Sequence, residues 1–339
     1  MPGVPTPGGS TSGVPTSGVP TSGISTSGVP TSGVSTSGGR GQRGTPLRGR
    51  VAVVTGAARG IGAALARQLS DAGMLVALLG REEASLRAVA RTLPHGSTCI
   101  EADVTDDAAL RAAAREVESR LGPASAVVAN AGIAVGGPFD RTPAELWQRV
   151  IDVNLTGSAN TARAFLPQLA RTRGYFLQVA STAALGSAPM MSAYCASKAG
   201  VESFALALRS EVEPEGIAVG IAYVHWTGTD MISGVDDLPV LRALRRHQPR
   251  FARRVRSPEQ VAGWLATGIT RRSPYVYAPP WLRWCQPLRP VFPPIVAHIA
   301  RRELRDPGRD GLTSEVNLLG AGGLADWRAH HSPEEPEPR

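Results

Sequence analysis

From Arg50 onward the chain alternates two textures: short runs apolar at nearly every position, and longer stretches whose apolar residues recur every three or four positions. The runs are Arg50–Thr55 (RVAVVT), Met74–Leu79 (MLVALL), Ser97–Glu101, Ser125–Ala129, Tyr175–Ser181, Ile217–Val224 and Tyr275–Ala278. Near-continuous apolarity at this length predicts strands buried on both faces. Helical spacing predicts helices over Ile61–Ala72, Glu82–Leu93, Asp106–Leu121, Pro143–Ala170 and Ser192–Glu213. Strand and helix taken in turn predict an α/β fold: a doubly wound parallel sheet of the Rossmann kind, one domain over residues 47–280.

The two flanks read differently. Residues 1–46 hold a five-residue repeat, Gly-(Val/Ile)-(Pro/Ser)-Thr-Ser, between Gly13 and Ser37. With no charge, no aromatic residue and no buried face, it is predicted to be disordered and partly polyproline-like. Residues 281–339 form a Pro-, Trp- and Arg-rich extension with a short basic helix over Ile295–Leu304 and an acidic, proline-rich tail predicted to be disordered.

Composition sharpens this picture in a few places. Residues are 42% hydrophobic but only 5% aromatic, so the core must be mainly Ala, Val, Leu and Ile. Cys99, Cys195 and Cys285 are widely spaced and odd in number, which gives no disulfide framework and no metal-ligand pattern. No apolar run reaches the length of a membrane span, and no secretory pattern opens the chain; the expected location is the cytoplasm. The net charge of +8 comes from arginine spread through helices, without the aromatic-interleaved motif of a nucleic-acid module, so no nucleic-acid partner is expected.

Two constellations carry chemistry. The first is the turn after the first strand, Thr55-Gly56-Ala57-Ala58-Arg59-Gly60-Ile61-Gly62, followed by a helix. Glycines there let backbone N–H groups and the helix N-terminus approach a pyrophosphate. At the end of the second strand, where an NAD site places an acid, the chain has Arg81, with Arg59 as a second cation in the turn. Two guanidiniums beside an adenosine 2′-phosphate favour NADP over NAD. Glu82 and Glu83 are read as stabilising the N-terminus of the next helix. The second constellation is Tyr194 with Lys198, the single lysine of the chain, one helical turn apart and so on one helix face.

In these motifs the sequence resembles the short-chain dehydrogenase/reductase family, in its single-domain branch, over about residues 48–280. Thr55–Gly62 matches TGxxxGxG, Asp103-Val104 the acid that meets the adenine ring, and Asn130-Ala131-Gly132 the segment that steadies the central sheet. Asn154 matches the helix asparagine, Ser181 the serine ending a central strand, Tyr194 and Lys198 YxxxK, and Thr229 the threonine at the carboxamide. The resemblance implies an oxidoreductase acting on a small-molecule alcohol or carbonyl compound with NADP, active as a homodimer or homotetramer. Tyr194 is then the general acid/base and Lys198 its activator, a second ligand of the nicotinamide ribose, lowering the phenol's pKa from about 10. Ser181 would hold the substrate oxygen, and Asn154 would anchor a water relay to Lys198. A non-catalytic, NADP-sensing scaffold on the same fold is the alternative.

One departure stands out: where the family has Pro-Gly after the sixth strand, this chain reads Tyr223-Val224-His225-Trp226-Thr227-Gly228-Thr229. His225 there is read either as a substrate contact or as a packed residue. The following lid, Met231–Arg256, carries seven arginines and no acid after Asp237. It is read as a solvated face or, with Trp281, Trp284 and Phe292, as a contact with an anionic membrane surface that admits a lipophilic substrate.

Overall fold

The computed structural model describes residues 47–235, 239–304, 317–319 and 323. The N-terminal repeat and the acidic tail lie outside the described residues. The predicted strands all form. They are β1 (Val51–Thr55), β2 (Leu75–Gly80), β3 (Ser97–Glu101), β4 (Ala124–Ala129), β6 (Tyr175–Ser181), β7 (Ala218–Val224) and β8 (Tyr275–Ala278). They make one seven-stranded sheet in the order β3-β2-β1-β4-β6-β7-β8, every pairing parallel. The order reverses direction between β1 and β4, and a crevice opens there beyond the carboxyl ends of the strands.

Two apolar layers cover the sheet. On one face Leu65, Leu69, Leu86, Val261 and Leu265 pack from α1 (Gly60–Asp71), α2 (Glu83–Ala90) and α9 (Pro258–Arg271). On the other, Leu110, Val117, Phe165, Leu169, Val201 and Leu208 pack from α3 (Asp107–Leu121), α5 (Gly157–Thr172) and α6 (Ser192–Val212). β1 and β4 are buried at every position, as a strand between two helical layers must be.

The structure corrects the predicted elements in three places. The helix expected over 143–170 is broken: α4 (Ala144–Ile151) and α5 are joined by a π-helical turn, Asp152–Thr156. α9 had no counterpart in the sequence reading, although Ser257-Pro258-Glu259-Gln260 is a helix start with a reciprocal capping box. Third, β5 (Ala134–Gly136) pairs antiparallel with β9 (Asn317–Leu319), which brings part of the C-terminal extension beside the crevice. The basic helix is α10 (Phe292–Leu304), one turn longer than expected, because Pro293 and Pro294 occupy its first turn, where N–H groups are not needed.

A buried ion pair ties the extension to the domain. Glu202, on α6 one turn after Lys198, is only 4% exposed. Its carboxylate accepts from both Arg289 nitrogens, at 2.7 and 2.6 Å, and from the Tyr223 hydroxyl at 2.5 Å. Arg289 also donates to the Ala184 carbonyl at 2.7 Å. Removing one partner of such a pair strands the other charge out of water. Arg289→Met is therefore expected to lower stability by about 2 to 3 kcal/mol, at the low end because Arg289 keeps some access to solvent. Urea denaturation measures this, and adding Glu202→Gln is expected to restore more than half of the loss.

Candidate active site

Every residue the sequence assigned to the cofactor or to catalysis, except Asn154, lines one cavity of about 960 Å³ at the carboxyl end of the sheet. One end is built from the glycine turn. Gly56 and Gly60 have φ of +64° and +54°, conformations that side chains other than hydrogen disfavour. A Cβ at Gly62 would lie 2.2 Å from the Gly56 carbonyl oxygen and 2.7 Å from Asn130 Nδ2. The turn is held from β4: Asn130 Nδ2 donates to the Thr55 carbonyl at 2.9 Å, and the amides of Asn130 and Ala131 donate to Thr55 Oγ1 at 3.0 and 3.1 Å. Thr229 packs against the same turn, its Cγ2 3.2 Å from where a Gly60 Cβ would be. Bare backbone at the start of α1, with no acid in its first turn, is a cradle that fits the pyrophosphate of a dinucleotide.

The charges at this end are paired. Arg59, read as free for a 2′-phosphate, forms an ion pair with Glu82, whose Oε2 also accepts from Ser85. Glu82 is thus more than a charge at a helix N-terminus. Asp103 accepts from the Thr105 amide and hydroxyl, both at 2.8 Å, and from Arg149 at 2.8 Å. Burial pulls its pKa up, but these bonds outweigh burial and hold the carboxyl below its ordinary value. Arg149, which also lines the cavity, was not singled out in the sequence. Its place depends on α4 crossing above Asp103, a contact 46 residues apart that no local signal encodes.

At the other end, Ser181, Tyr194 and Lys198 come together. Ser181 closes β6, and its hydroxyl stands by the Tyr194 phenol and pulls that group's pKa down. Lys198 Nζ lies 5.7 Å from the centre of the Tyr194 ring and donates to the Val179 carbonyl at 3.2 Å. Burial drives both groups toward neutrality: it raises the Tyr194 phenol above its ordinary value and lowers Lys198 to about 8. The expected lowering of the phenol is therefore not what this arrangement produces, since loss of water outweighs the bond from Ser181.

Asn154 sits behind the wall, fully buried in the π-helical turn. Its Oδ1 accepts from the Ile133 amide at 2.8 Å, and its Nδ2 donates to the Ile133 carbonyl and to Ser197 Oγ, both at 2.9 Å. Its side chain fastens the π-helical turn to α6 and to the segment after β4. His225 is packed: Nε2 donates to the Ala252 carbonyl at 2.9 Å, which leaves Nδ1 to accept from Thr182 at 3.1 Å. Burial lowers its pKa to about 4. Trp226 donates to Gln248 at 2.8 Å, so the His-Trp pair that replaces Pro-Gly pins the lid helix α8 (Pro239–His247) and the loop after it.

The short chain dehydrogenase family model matches residues 50–237. A glycine betaine reductase of Emericella nidulans is 33% identical over 222 residues, which is 64% of this chain but 17% of that protein's length. A protein of Xanthobacter autotrophicus named inactive 2-(S)-hydroxypropyl-CoM dehydrogenase 2 is 36% identical over 203 residues, 58% of this chain and 88% of the relative. The crystal structure of a short-chain type dehydrogenase/reductase from Mycobacterium marinum superposes with a TM-score of 0.63 at 26% identity. That match covers 68% of this chain and 94% of the other.

Below pH 8, Lys198 is charged in folded and unfolded chains alike, and its burial weighs fully on the fold. Between about 8 and the ordinary lysine value of 10.5 the folded chain sheds its proton first, so stability rises with pH through that window. Lys198→Met is expected to stabilise the cofactor-free protein at pH 7 by about 2 to 3 kcal/mol and to flatten the rise. Urea denaturation at pH 7 and 9.5 checks both.

Proposed function

The chain belongs to the short-chain dehydrogenase family, and from that premise we propose that it moves hydride between NADP(H) and a lipophilic alcohol or ketone, with Tyr194 as acid/base. The observation that carries this reading is that Ser181, Tyr194 and Lys198 line the same cavity as the glycine turn. The wall beyond them is apolar, with Leu185, Met191, Met231, Leu241, Leu244 and Phe292.

The backbone of Gly56, Gly60, Ile61 and Gly62 would hold the pyrophosphate. Arg81 and Arg59 would hold the 2′-phosphate, Asp103 and Val104 would flank the adenine, and Thr229 and Lys198 would hold the nicotinamide half. When bound, the nicotinamide supplies or takes up the hydride. The proton is handled by this chain's own side chains. In the reducing direction Tyr194 gives its phenol proton to the substrate oxygen while Ser181 fixes that oxygen by a hydrogen bond. The raised pKa suits this direction, since it keeps the proton on the phenol at neutral pH. Lys198, charged below about pH 8, offsets the negative charge the phenol acquires when the proton leaves. A cofactor-binding protein without turnover is the second reading, favoured by the relative named inactive.

Oxidation of NADPH against ketones and aldehydes of graded chain length separates the two readings. Activity is expected to rise with chain length, and Tyr194→Phe to lower kcat about a thousandfold while cofactor still binds. Full activity in Tyr194→Phe removes the acid/base role; no turnover in the unaltered protein with any carbonyl compound favours the scaffold.

Cofactor choice has its own test. Arg81→Ala is expected to lower kcat/KM for NADPH by about 10- to 100-fold while changing that for NADH little, the scale of a lost charge-assisted bond. Glu82→Gln, which releases Arg59, is expected to shift preference further toward NADPH. Preference for NADH in the unaltered protein overturns the assignment.

A further inference from the structure

The C-terminal extension presents an apolar stripe to solvent. Trp284, Leu288, Val291 and Ile295 are 66%, 52%, 48% and 49% exposed, at spacings of four, three and four residues. Large side chains so exposed along one short segment mark a surface that is covered in use. The stripe leads to the cavity: Ile295 is both exposed and part of the cavity wall. Phe251, 57% exposed, also lines the cavity and meets Trp281 edge-on at 5.1 Å, and Trp281 meets His225 at 5.4 Å. A train of aromatic rings thus runs from the surface toward the catalytic end.

The charge around this stripe identifies what covers it. Between Pro239 and Arg302 the chain has thirteen arginines and one acid, Glu259, which stands on α9 where that helix meets α1. Arg242, Arg246, Arg250, Arg253, Arg254 and Arg283 are exposed, as are Arg301 and Arg302 at the end of α10. α8 and α10 pack on one another through Leu241, Leu244, Val296 and Ala300, which sets apolar stripe and arginines on neighbouring elements over the cavity. Arg283 stacks over the Trp284 ring at 5.1 Å, an aromatic with a cation on its face. A second copy docking by this same face would bring equal charge against it and be repelled. A nucleic acid would leave the aliphatic members of the stripe without a partner.

We propose that the face formed by α8, α10 and the segment preceding α10 docks on an anionic lipid membrane, which places the cavity mouth at the lipid surface. Arginines meet the headgroups, and Trp284, Leu288 and Val291 enter the acyl boundary. An alcohol or ketone dissolved in the lipid then reaches the cavity past Ile295 and Phe251 without crossing water. The docking surface itself does not rest on the hydride-transfer reading, because binding needs no turnover.

The full chain is floated with vesicles of phosphatidylcholine alone and of phosphatidylcholine with phosphatidylglycerol, at low and high salt. Expected is partition onto the anionic vesicles at least about tenfold above the neutral ones, reversed by high salt, with a blue shift of tryptophan emission. Trp284→Ser with Leu288→Ser, neither residue lining the cavity, is expected to weaken partition about tenfold and to leave turnover of a water-soluble ketone unchanged. Arg301→Ser with Arg302→Ser is expected to weaken it too, which keeps the test valid should the first variant fold poorly. Absence of flotation on anionic vesicles overturns the proposal, as does flotation that both variants leave intact. So does a dimer in solution that Trp284→Ser with Leu288→Ser dissociates while no vesicles bind.

Discussion

Keeping one ammonium out of water beside a phenol is the constraint around which the crevice is built. Burial brings Lys198 down to about 8, close enough to neutrality that it retains its proton only by a modest margin. On its Gly132 side the space is close-packed. A Cβ on Gly132 would lie 3.1 Å from Asn154 Oδ1 and 3.5 Å from Lys198 Nζ. A planar guanidinium is wider than an ammonium and would need more room than this. Hence the one position where a chain rich in arginine keeps lysine is where head-group size matters as much as charge. Asn154, Gly132 and the π-helical turn pack behind Lys198, although Asn154 does not reach the cavity.

The same economy governs the substrate end. The family's Pro-Gly bend is replaced by His225-Trp226, and each ring is spent on holding the lid: His225 on Ala252 and Thr182, Trp226 on Gln248. The backbone repeats the tie, with the Arg256 amide donating to Trp226 and the Gly228 amide to Arg256. Burial keeps the histidine neutral at physiological pH, so Nδ1 accepts while Nε2 donates. From the other side, Arg289 binds the extension to Glu202 on the helix of Tyr194 and Lys198. Lid and extension are therefore parts of the cavity wall, the lid fastened after β7 and the extension on the helix that bears Tyr194 and Lys198.

What the sequence made legible follows from the physics of each feature. The sheet could be read because strands covered on both faces leave unbroken apolar runs, and the glycine turn because backbone approach excludes Cβ. The tyrosine and lysine could be read because four residues on a helix is a fixed geometry. The π-helical turn could not, since an inserted residue in a helix leaves the apolar spacing almost unchanged, and its Asn154 bonds to Ile133, 21 residues away. Arg59 with Glu82, Asp103 with Arg149 and Glu202 with Arg289 are separated by 23, 46 and 87 residues, and pairing at such distance exists only once the fold exists. α9 is different: its capping signal, Ser257-Pro258-Glu259-Gln260, is entirely local.

Those long-range pairs give the crevice a gradient along its length. At the glycine-turn end Arg59 is paired with Glu82 and Arg149 with Asp103, so these four charges are balanced before a ligand arrives. An entering phosphate would compete with Glu82 for Arg59, a substitution of one anion for another with little net change in desolvation. At the Tyr194 end the walls include Leu, Met, Phe and Trp, and burial raises the pKa of Tyr194 and lowers that of Lys198. A ligand that is polyanionic at one end and meets an apolar partner at the other is what such a gradient selects. The two ends are built from separate residues: ion pairs around β2 and α2 at one, apolar volume supplied by the lid and the extension at the other. Change in one set of residues leaves the other standing, because the sheet between them is rigid and buried on both faces.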